Sequence, residues 1–81
     1  MEFWHLNKYY KDYDSDYQDS YCIHYKTKEE AEEDFFSLLT GYKDNDIDEE
    51  DITLTNKEDY KDFEIITDYC YCYVVLEKIK L

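Results

Sequence analysis

The sequence predicts an α+β fold, in which an antiparallel β-sheet of four to five strands carries one amphipathic helix on one face, in the order ββαβββ. Three observations lead to this prediction. Aromatic and β-branched residues dominate several short segments, and many of them alternate with polar residues, which is typical of strands. One segment has apolar residues at helical spacing. This segment lies between two strand-rich parts of the chain.

The first two strands are predicted to form a hairpin over residues 2–26. Residues 2–10 are rich in aromatic side chains and contain no Gly or Pro. Residues 14–19 are polar and predict the connecting loop. In residues 21–26, the large apolar residues Tyr21, Ile23 and Tyr25 alternate with smaller or polar residues, which indicates the second strand.

The helix is predicted to begin after Thr27 and to end at Gly41. Thr27 and Glu30 have the spacing of a capping box, in which the hydroxyl accepts from a free backbone amide and the carboxylate reaches back to the cap. Gly41 supplies the left-handed residue that commonly ends a helix. The apolar stripe expected to face the sheet comprises Ala31, Phe35, Leu38, Leu39 and Tyr42.

The rest of the chain is predicted to complete the sheet. Residues 43–51 are mostly acidic and predict an exposed loop, because buried carboxylates without partners are costly. Strands are then predicted over residues 52–55, 63–67 and 69–79.

Charge is the feature that bears most on function. The 81 residues contain 22 Asp and Glu against 9 Lys, with no Arg, and the net charge is -13. Duplex DNA carries one charge per roughly 1.7 Å, or about 18 over the ~30 Å diameter of such a domain. The chain therefore approaches nucleic acid in charge density, which excludes direct binding to DNA, RNA or anionic membranes.

The composition otherwise predicts one folded domain over residues 1–81. Apolar residues make up 43% and aromatic residues 20%, which is too hydrophobic for a disordered acidic tail. No apolar run reaches 18 residues, the first residues lack the pattern of a signal peptide, and the cysteine count of three is odd. We therefore expect a protein of the bacterial cytoplasm, as a monomer or a homodimer.

Two short motifs resemble the opening of a calcium-binding EF-hand loop. The required Gly at the sixth position is replaced by Tyr17 in one and by Glu49 in the other, and neither has Glu at the twelfth position. Specific calcium binding is therefore not expected. The motifs are Asp12-x-Asp14-x-Asp16 and Asp44-x-Asp46-x-Asp48.

Four soft ligands could bind zinc if their strands were neighbours on one sheet face: Cys22, His24, Cys70 and Cys72. They lie within apolar strands, however, and free cysteine usually behaves as a small buried hydrophobe. We therefore expect core packing and no metal or other cofactor, with His5 also structural. No activated nucleophile or phosphate-binding Gly loop is recognisable, so we expect no enzymatic activity.

Acidic residues cluster in the hairpin loop, on the helix and in the loop that follows it. Their number exceeds what solubility requires of a small domain, which indicates a basic partner protein. Phe36 lies between the acidic side of the helix and the apolar stripe, and is either an interface anchor or part of a wider core. The predicted partner-binding residues are Asp12, Asp14, Asp16, Asp19, Glu29, Glu33, Phe36, Asp44, Asp46, Asp48, Glu49, Glu50 and Asp51.

In size, charge, lack of Arg and tyrosine content, the chain resembles the small acidic proteins that phages use against host defence. These are anti-CRISPR proteins, anti-restriction proteins and uracil-DNA glycosylase inhibitors that act as DNA mimics. The resemblance implies an inhibitor of a nucleic-acid-binding protein, first of all a CRISPR effector of the Cas9 type and next a restriction nuclease. The alternative is an acidic adaptor or antitoxin-like subunit that binds a basic protein without competing with DNA.

Overall fold

The protein is described from a computed structural model that covers residues 2–45 and 47–80. These residues form a five-stranded antiparallel sheet and one α-helix, so the predicted α+β fold and its ββαβββ order are confirmed. The elements are β1 (Glu2–Asp12), β2 (Gln18–Tyr25), α1 (Lys28–Asp44), a 3₁₀ turn (Glu49–Asp51), β3 (Ile52–Asn56), β4 (Tyr60–Ile66) and β5 (Cys70–Lys80).

The strands lie in the order β2-β1-β5-β4-β3. The two longest strands, β1 and β5, are neighbours. The predicted β1–β2 hairpin extends the sheet on one side of them, and β4 and β3 extend it on the other. Leu6 on β1 lies opposite Ile23 on β2 and Leu76 on β5. Because directly opposed residues project to the same side, every strand contributes alternate side chains to each face of the sheet.

Helix α1 packs against one face, which we call the covered face. Thr27 accepts a hydrogen bond from the backbone amide of Glu30 at 3.3 Å, which is the first half of the predicted capping box. Phe35 is fully buried, and its ring meets the ring of Phe63 on β4 at a centroid distance of 5.3 Å. The core on this face comprises Trp4, Leu6, Tyr25, Ala31, Phe35, Leu39, Phe63, Ile65, Cys72, Val74 and Leu76.

The opposite side of the sheet, which we call the open face, has no helix packed against it among the described residues. Its side chains come from the alternate strand positions. Many of them are half-buried by their own neighbours on the sheet. They include Phe3, His5, Tyr9, Cys22, His24, Tyr60, Asp62, Glu64, Tyr71, Tyr73 and Glu77.

The predicted end of the helix at Gly41 is wrong. The helix continues to Asp44 and is capped by Asn45, whose side-chain amide donates to the carbonyl of Gly41 at 2.8 Å. Gly41 does not adopt the left-handed conformation, and it is exposed, so a helical glycine here costs only about 1 kcal/mol relative to alanine. The predicted acidic loop is correspondingly shorter, and Glu49–Asp51 within it forms a 3₁₀ turn.

Candidate functional site

The antiparallel connections gather two turns at one end of the strands. Strand β1 ends where β5 begins, so the turn at 13–17 lies beside the turn at 67–69. The backbone amide of Tyr13 donates to the carbonyl of Tyr69 at 2.9 Å and joins the two turns directly. This end of the sheet therefore has a defined backbone arrangement.

The acidic segment 44–51 is brought to the same end. Asn45 and Ile47 line a cavity of about 360 Å³ together with Tyr17 and Tyr69 from the two turns. Strand β3 then begins opposite the end of β4. The segment therefore leads from the helix to the far edge of the sheet along this end.

We call this end the acidic end. Five strands at a spacing of about 4.8 Å make it roughly 19 Å wide. Over that distance duplex DNA carries about 11 phosphate charges, and the carboxylates here approach that number. The acids described at this end are Asp12, Asp14, Asp16, Asp44, Asp48, Glu49, Glu50, Asp51 and Asp68.

The opposite end, which we call the lysine end, is formed by the start of β1, the ends of β2 and β5, the β3–β4 turn and the start of α1. Carboxylates there have nearby cations. Lys78 Nζ lies 3.2 Å from Glu2 Oε2 and 3.8 Å from Asp59 Oδ1. The lysines of this end are Lys26, Lys28, Lys57, Lys61, Lys78 and Lys80.

The acidic end is much less neutralised. Among residues 2–45 and 47–80, the nine acids named above make one ion pair, between Lys43 Nζ and Glu49 Oε1 at 3.8 Å. Lys8 and Asp19 also pair, at 4.0 Å, on the wall of the same cavity, and Lys11 lies one residue before the end of β1. Asp12 is occupied structurally, because its carboxylate accepts from the backbone amides of Asp14 and Ser15 at 2.9 and 3.3 Å and closes the hairpin turn. Apart from Asp12 and Asp51, which are half-buried, the carboxylates named above are exposed.

Three exposed tyrosines lie among these acids. Tyr13, Tyr17 and Tyr69 are 49%, 56% and 46% exposed, so roughly half of each side chain is available for contact. Together with Asp68, they are the residues of this end that the sequence prediction missed. The last two strands were predicted, but the turn between them lies beside the first hairpin only because β5 pairs with β1, and the local sequence pattern does not contain that pairing.

The helical residues of the predicted site lie elsewhere. Glu29 and Glu33 are exposed in the first half of α1, towards the lysine end. Phe36 is half-buried against the core and meets the ring of Phe35 edge-on at 5.1 Å, so it forms part of the wider core stripe. Asp46 lies outside the described residues.

Asp19 lies near a lysine, and 39% of its side chain is exposed. Its carboxylate lies 4.0 Å from Lys8 Nζ. The ammonium group also lies 6.0, 5.4 and 5.7 Å from the ring centroids of Tyr10, Tyr21 and Tyr42, within cation–π range. Burial raises the pKa of Tyr10, Tyr21 and Tyr42, which keeps these phenols neutral around the lysine.

Carboxylates on the open face are also paired. Tyr71 donates its hydroxyl to Glu64 at 2.8 Å, and Tyr60 donates to Asp62 at 2.7 Å. Hydrogen bonds to Tyr73 and Asp62 raise the pKa of Tyr60, while partial burial and the bond to Glu64 raise the pKa of Tyr71 to about 12. These acids therefore have structural partners that most acids of the acidic end lack.

The four soft ligands considered in the sequence do not converge. Cys22 and His24 lie on the open face of β2, whereas Cys70 and Cys72 lie on the covered face of β5, with β1 between the two strands. Core packing is confirmed for Cys70 and Cys72, but it is wrong for Cys22 and His24, which are exposed. Instead, His5 on β1 meets Cys22 and His24 on the open face.

No family model, no curated protein and no solved structure matches this chain. The fold and its surfaces define a small acidic α+β protein in which nine of the described carboxylates lie at one end and six of the lysines lie at the other. None of the helices in the described part of the chain has the length and apolar character needed to span a bilayer.

Proposed function

We propose that this protein is a non-enzymatic inhibitor that occupies the DNA-binding groove of a host-defence nuclease by presenting carboxylates in place of phosphates. The observation behind the proposal is the acidic end, where carboxylates lie across about 19 Å of sheet while most lysines and ion pairs lie at the other end. A basic groove attracts such a surface over long range and associates with it quickly.

The exposed tyrosines of the acidic end give the interaction an apolar component. Charge alone speeds association and adds little lasting affinity. Tyr13, Tyr17 and Tyr69 provide rigid, amphipathic contact area that loses little conformational entropy on binding. The proposed binding surface is therefore the acidic end with these three side chains at its centre.

A CRISPR effector of the Cas9 type is the first target that we propose. The Arg residues with which such effectors read the PAM form a basic, preformed surface before DNA arrives. Restriction nucleases and DNA glycosylases also have basic DNA-binding grooves and are the next candidates. In each case the inhibitor would act in the host bacterial cytoplasm, where its target is found.

Competition with DNA is the direct test. A guide-loaded Cas9-type effector is bound to a labelled duplex that contains the PAM, and the protein is titrated into the complex. We expect the labelled duplex to be displaced, and we expect unlabelled PAM duplex to displace the protein in the reverse experiment. An effector that holds the protein and the duplex at the same time would refute mimicry and support the adaptor alternative.

Charge reversal at the two ends tests the proposed surface. The triple variant Asp14→Lys, Asp68→Lys and Glu50→Lys should slow association with the target about tenfold or more, because these exposed carboxylates are proposed to face the basic groove. The matched control reverses three exposed acids outside the acidic end and changes the net charge equally. The control variant is Glu29→Lys, Glu33→Lys and Glu58→Lys.

The two variants distinguish an effect of where the carboxylates lie from an effect of the total net charge. If both slow association equally, the total charge of the protein is responsible and the acidic end is not the binding surface. Association rates measured at increasing salt concentration should fall steeply for the unmodified protein and the control, and less steeply for the acidic-end variant, because salt screens the charges that steer binding.

A further inference from the structure

Three soft ligand atoms meet on the open face of the sheet. His5 on β1 lies directly opposite His24 on β2, and Cys22 projects to the same face because it lies two residues before His24. The ligand atoms of the three side chains lie within 4.8 Å of one another. Cys22 Sγ is 4.0 Å from His24 Nε2 and in direct contact with His5 Nε2.

We propose that His5, Cys22 and His24 form a binding site for a transition-metal ion of the zinc class. Zinc binds sulfur at about 2.3 Å and nitrogen at about 2.0–2.1 Å, which places tetrahedral ligand atoms roughly 3.5 Å apart. The 4.0 Å distance from Cys22 Sγ to His24 Nε2 exceeds this value by about half an ångström, and all three ligand atoms lie within 4.8 Å of one another. Small side-chain rotations are therefore sufficient to bind the ion.

The surrounding structure holds the ligands in place. The rings of His5 and His24 have centroids 4.7 Å apart, and Phe3 packs edge-on against His24 at 5.2 Å. Continuous pairing between β1 and β2 fixes the backbone on both sides. Aromatic packing explains the position of the rings, but it does not require both Nε2 atoms to lie beside the thiol of Cys22.

The donor set selects the class of ion. Two imidazole nitrogens and one thiolate suit zinc and its neighbours in the transition series, whereas calcium and magnesium prefer oxygen ligands. The cluster also lies near the lysine end, because His5 and His24 are close to the start of β1 and the end of β2. Cations that gather around the carboxylates of the acidic end would therefore occupy a different part of the molecule.

The geometry leaves one coordination position for an outside ligand. Zinc sites with three protein ligands keep their fourth position for water or another bound group. Cys22 and His24 are exposed and His5 is half-buried, so solvent or a side chain of a partner protein can reach an ion held there. The site is thus suited to bind an exogenous ligand through the metal.

Cobalt(II) provides the test, because its absorption reports thiolate coordination. The reduced protein is titrated with Co²⁺ in the presence of excess Mg²⁺, which occupies weak carboxylate sites. We expect one Co²⁺ per chain, a sulfur-to-cobalt charge-transfer band, and loss of that band when Zn²⁺ is added. Several weakly bound ions per chain without a sulfur band would overturn the proposal.

Variants assign the band to particular residues. Cys22→Ser should abolish the charge-transfer band, and His24→Ala should weaken Co²⁺ binding by tenfold or more, which is at least the effect of losing an outer-shell partner. Both side chains are exposed, so both variants should keep the far-ultraviolet circular dichroism of the unmodified protein. Cys70→Ala removes a thiol from the covered face and is the matched control, which should retain the band.

Thermal unfolding gives a second, independent measurement. An ion that binds only the folded protein raises its melting temperature. Zn²⁺ should therefore raise the melting temperature of the unmodified protein and of Cys70→Ala, but not that of Cys22→Ser. An equal increase in Cys22→Ser would locate the bound zinc elsewhere and refute the proposed site.

Discussion

The two faces of the sheet are built from alternate residues of the same strands, yet they differ in almost every physical property. On the covered face, Leu6, Phe63 and Val74 are completely buried beneath the helix. On the open face, Tyr71 and Glu64 are half-buried and hydrogen-bonded to each other. The covered face thus provides the hydrophobic stabilisation, and the open face is free to hold polar and metal-binding chemistry.

The ends of the sheet add a second contrast. Most carboxylates lie outside both faces, in turns and on the solvent side of the helix, because burying an unpaired carboxylate is costly. Three separate turns or segments meet at the acidic end, where nine carboxylates have few lysines beside them and most are exposed. The hydrophobic core and the proposed binding surface therefore occupy different parts of the molecule, and substitutions can address them separately.

The largest expected effect comes from truncating a large side chain on the covered face. Phe63→Ala should lower the free energy of unfolding by about 3–5 kcal/mol, because the cavity would lie beneath the helix. Phe63 is fully buried and contacts the rings of Phe35 and Tyr42. Denaturant unfolding monitored by circular dichroism measures the change.

The matched control removes the same side chain from the open face. Phe3 is half-buried and packs against His24. Phe3→Ala should therefore cost much less, on the order of 1 kcal/mol. Equal losses for the two variants would mean that the open face contributes as much to the core as the covered face, contrary to the comparison above.

The second effect in size concerns the one buried charged residue described on the covered face. Lys61 is 4% exposed, and its ammonium group donates to Asn56 Oδ1 at 2.8 Å and to the carbonyl of Lys57 at 2.7 Å. Glu32 Oε2 on the helix lies 3.7 Å away. Lys61→Ala should cost about 2 kcal/mol, because the aliphatic stem and these hydrogen bonds are lost together.

Lys57→Ala is the control for this prediction. The side chain of Lys57 is exposed, and the substitution leaves its backbone carbonyl available to Lys61. We expect a change within about 0.5 kcal/mol. If Lys61→Ala were equally mild in denaturant unfolding, the buried ammonium group would not be holding the β3–β4 turn to the sheet.

The covered face could be predicted from the sequence because apolar residues recur at the spacing that places them on the buried side of a strand or helix. The expected core packing of Cys70 and Cys72 in the last strand and the predicted stripe through Ala31 and Phe35 on the helix each identified a side that is buried. The end of the helix was harder to predict. Gly41 is a typical terminator, but an asparagine four residues later caps the helix and an exposed glycine costs little.

The sites depend on strand order, which the local pattern does not contain. Cys22 and His24 are adjacent to His5 only because β2 pairs with β1 in one particular register. Asp68 joins the acidic end only because β5 pairs with β1. A sequence pattern can therefore identify ligand types and charge clusters, while the topology decides which of them meet.

The smallest expected effect is a loss of folding stability at alkaline pH, which arises from a tyrosine on the open face. Partial burial and the hydrogen bond to Glu64 raise the pKa of Tyr71 from 10.0 to about 12. Between these values the folded state keeps a proton that the unfolded state loses, so stability is fully present below pH 10 and falls as the pH rises towards 12. Tyr71→Phe should make this fall shallower in denaturant unfolding at several pH values, and an unchanged slope would show that the Tyr71–Glu64 bond does not couple folding to pH.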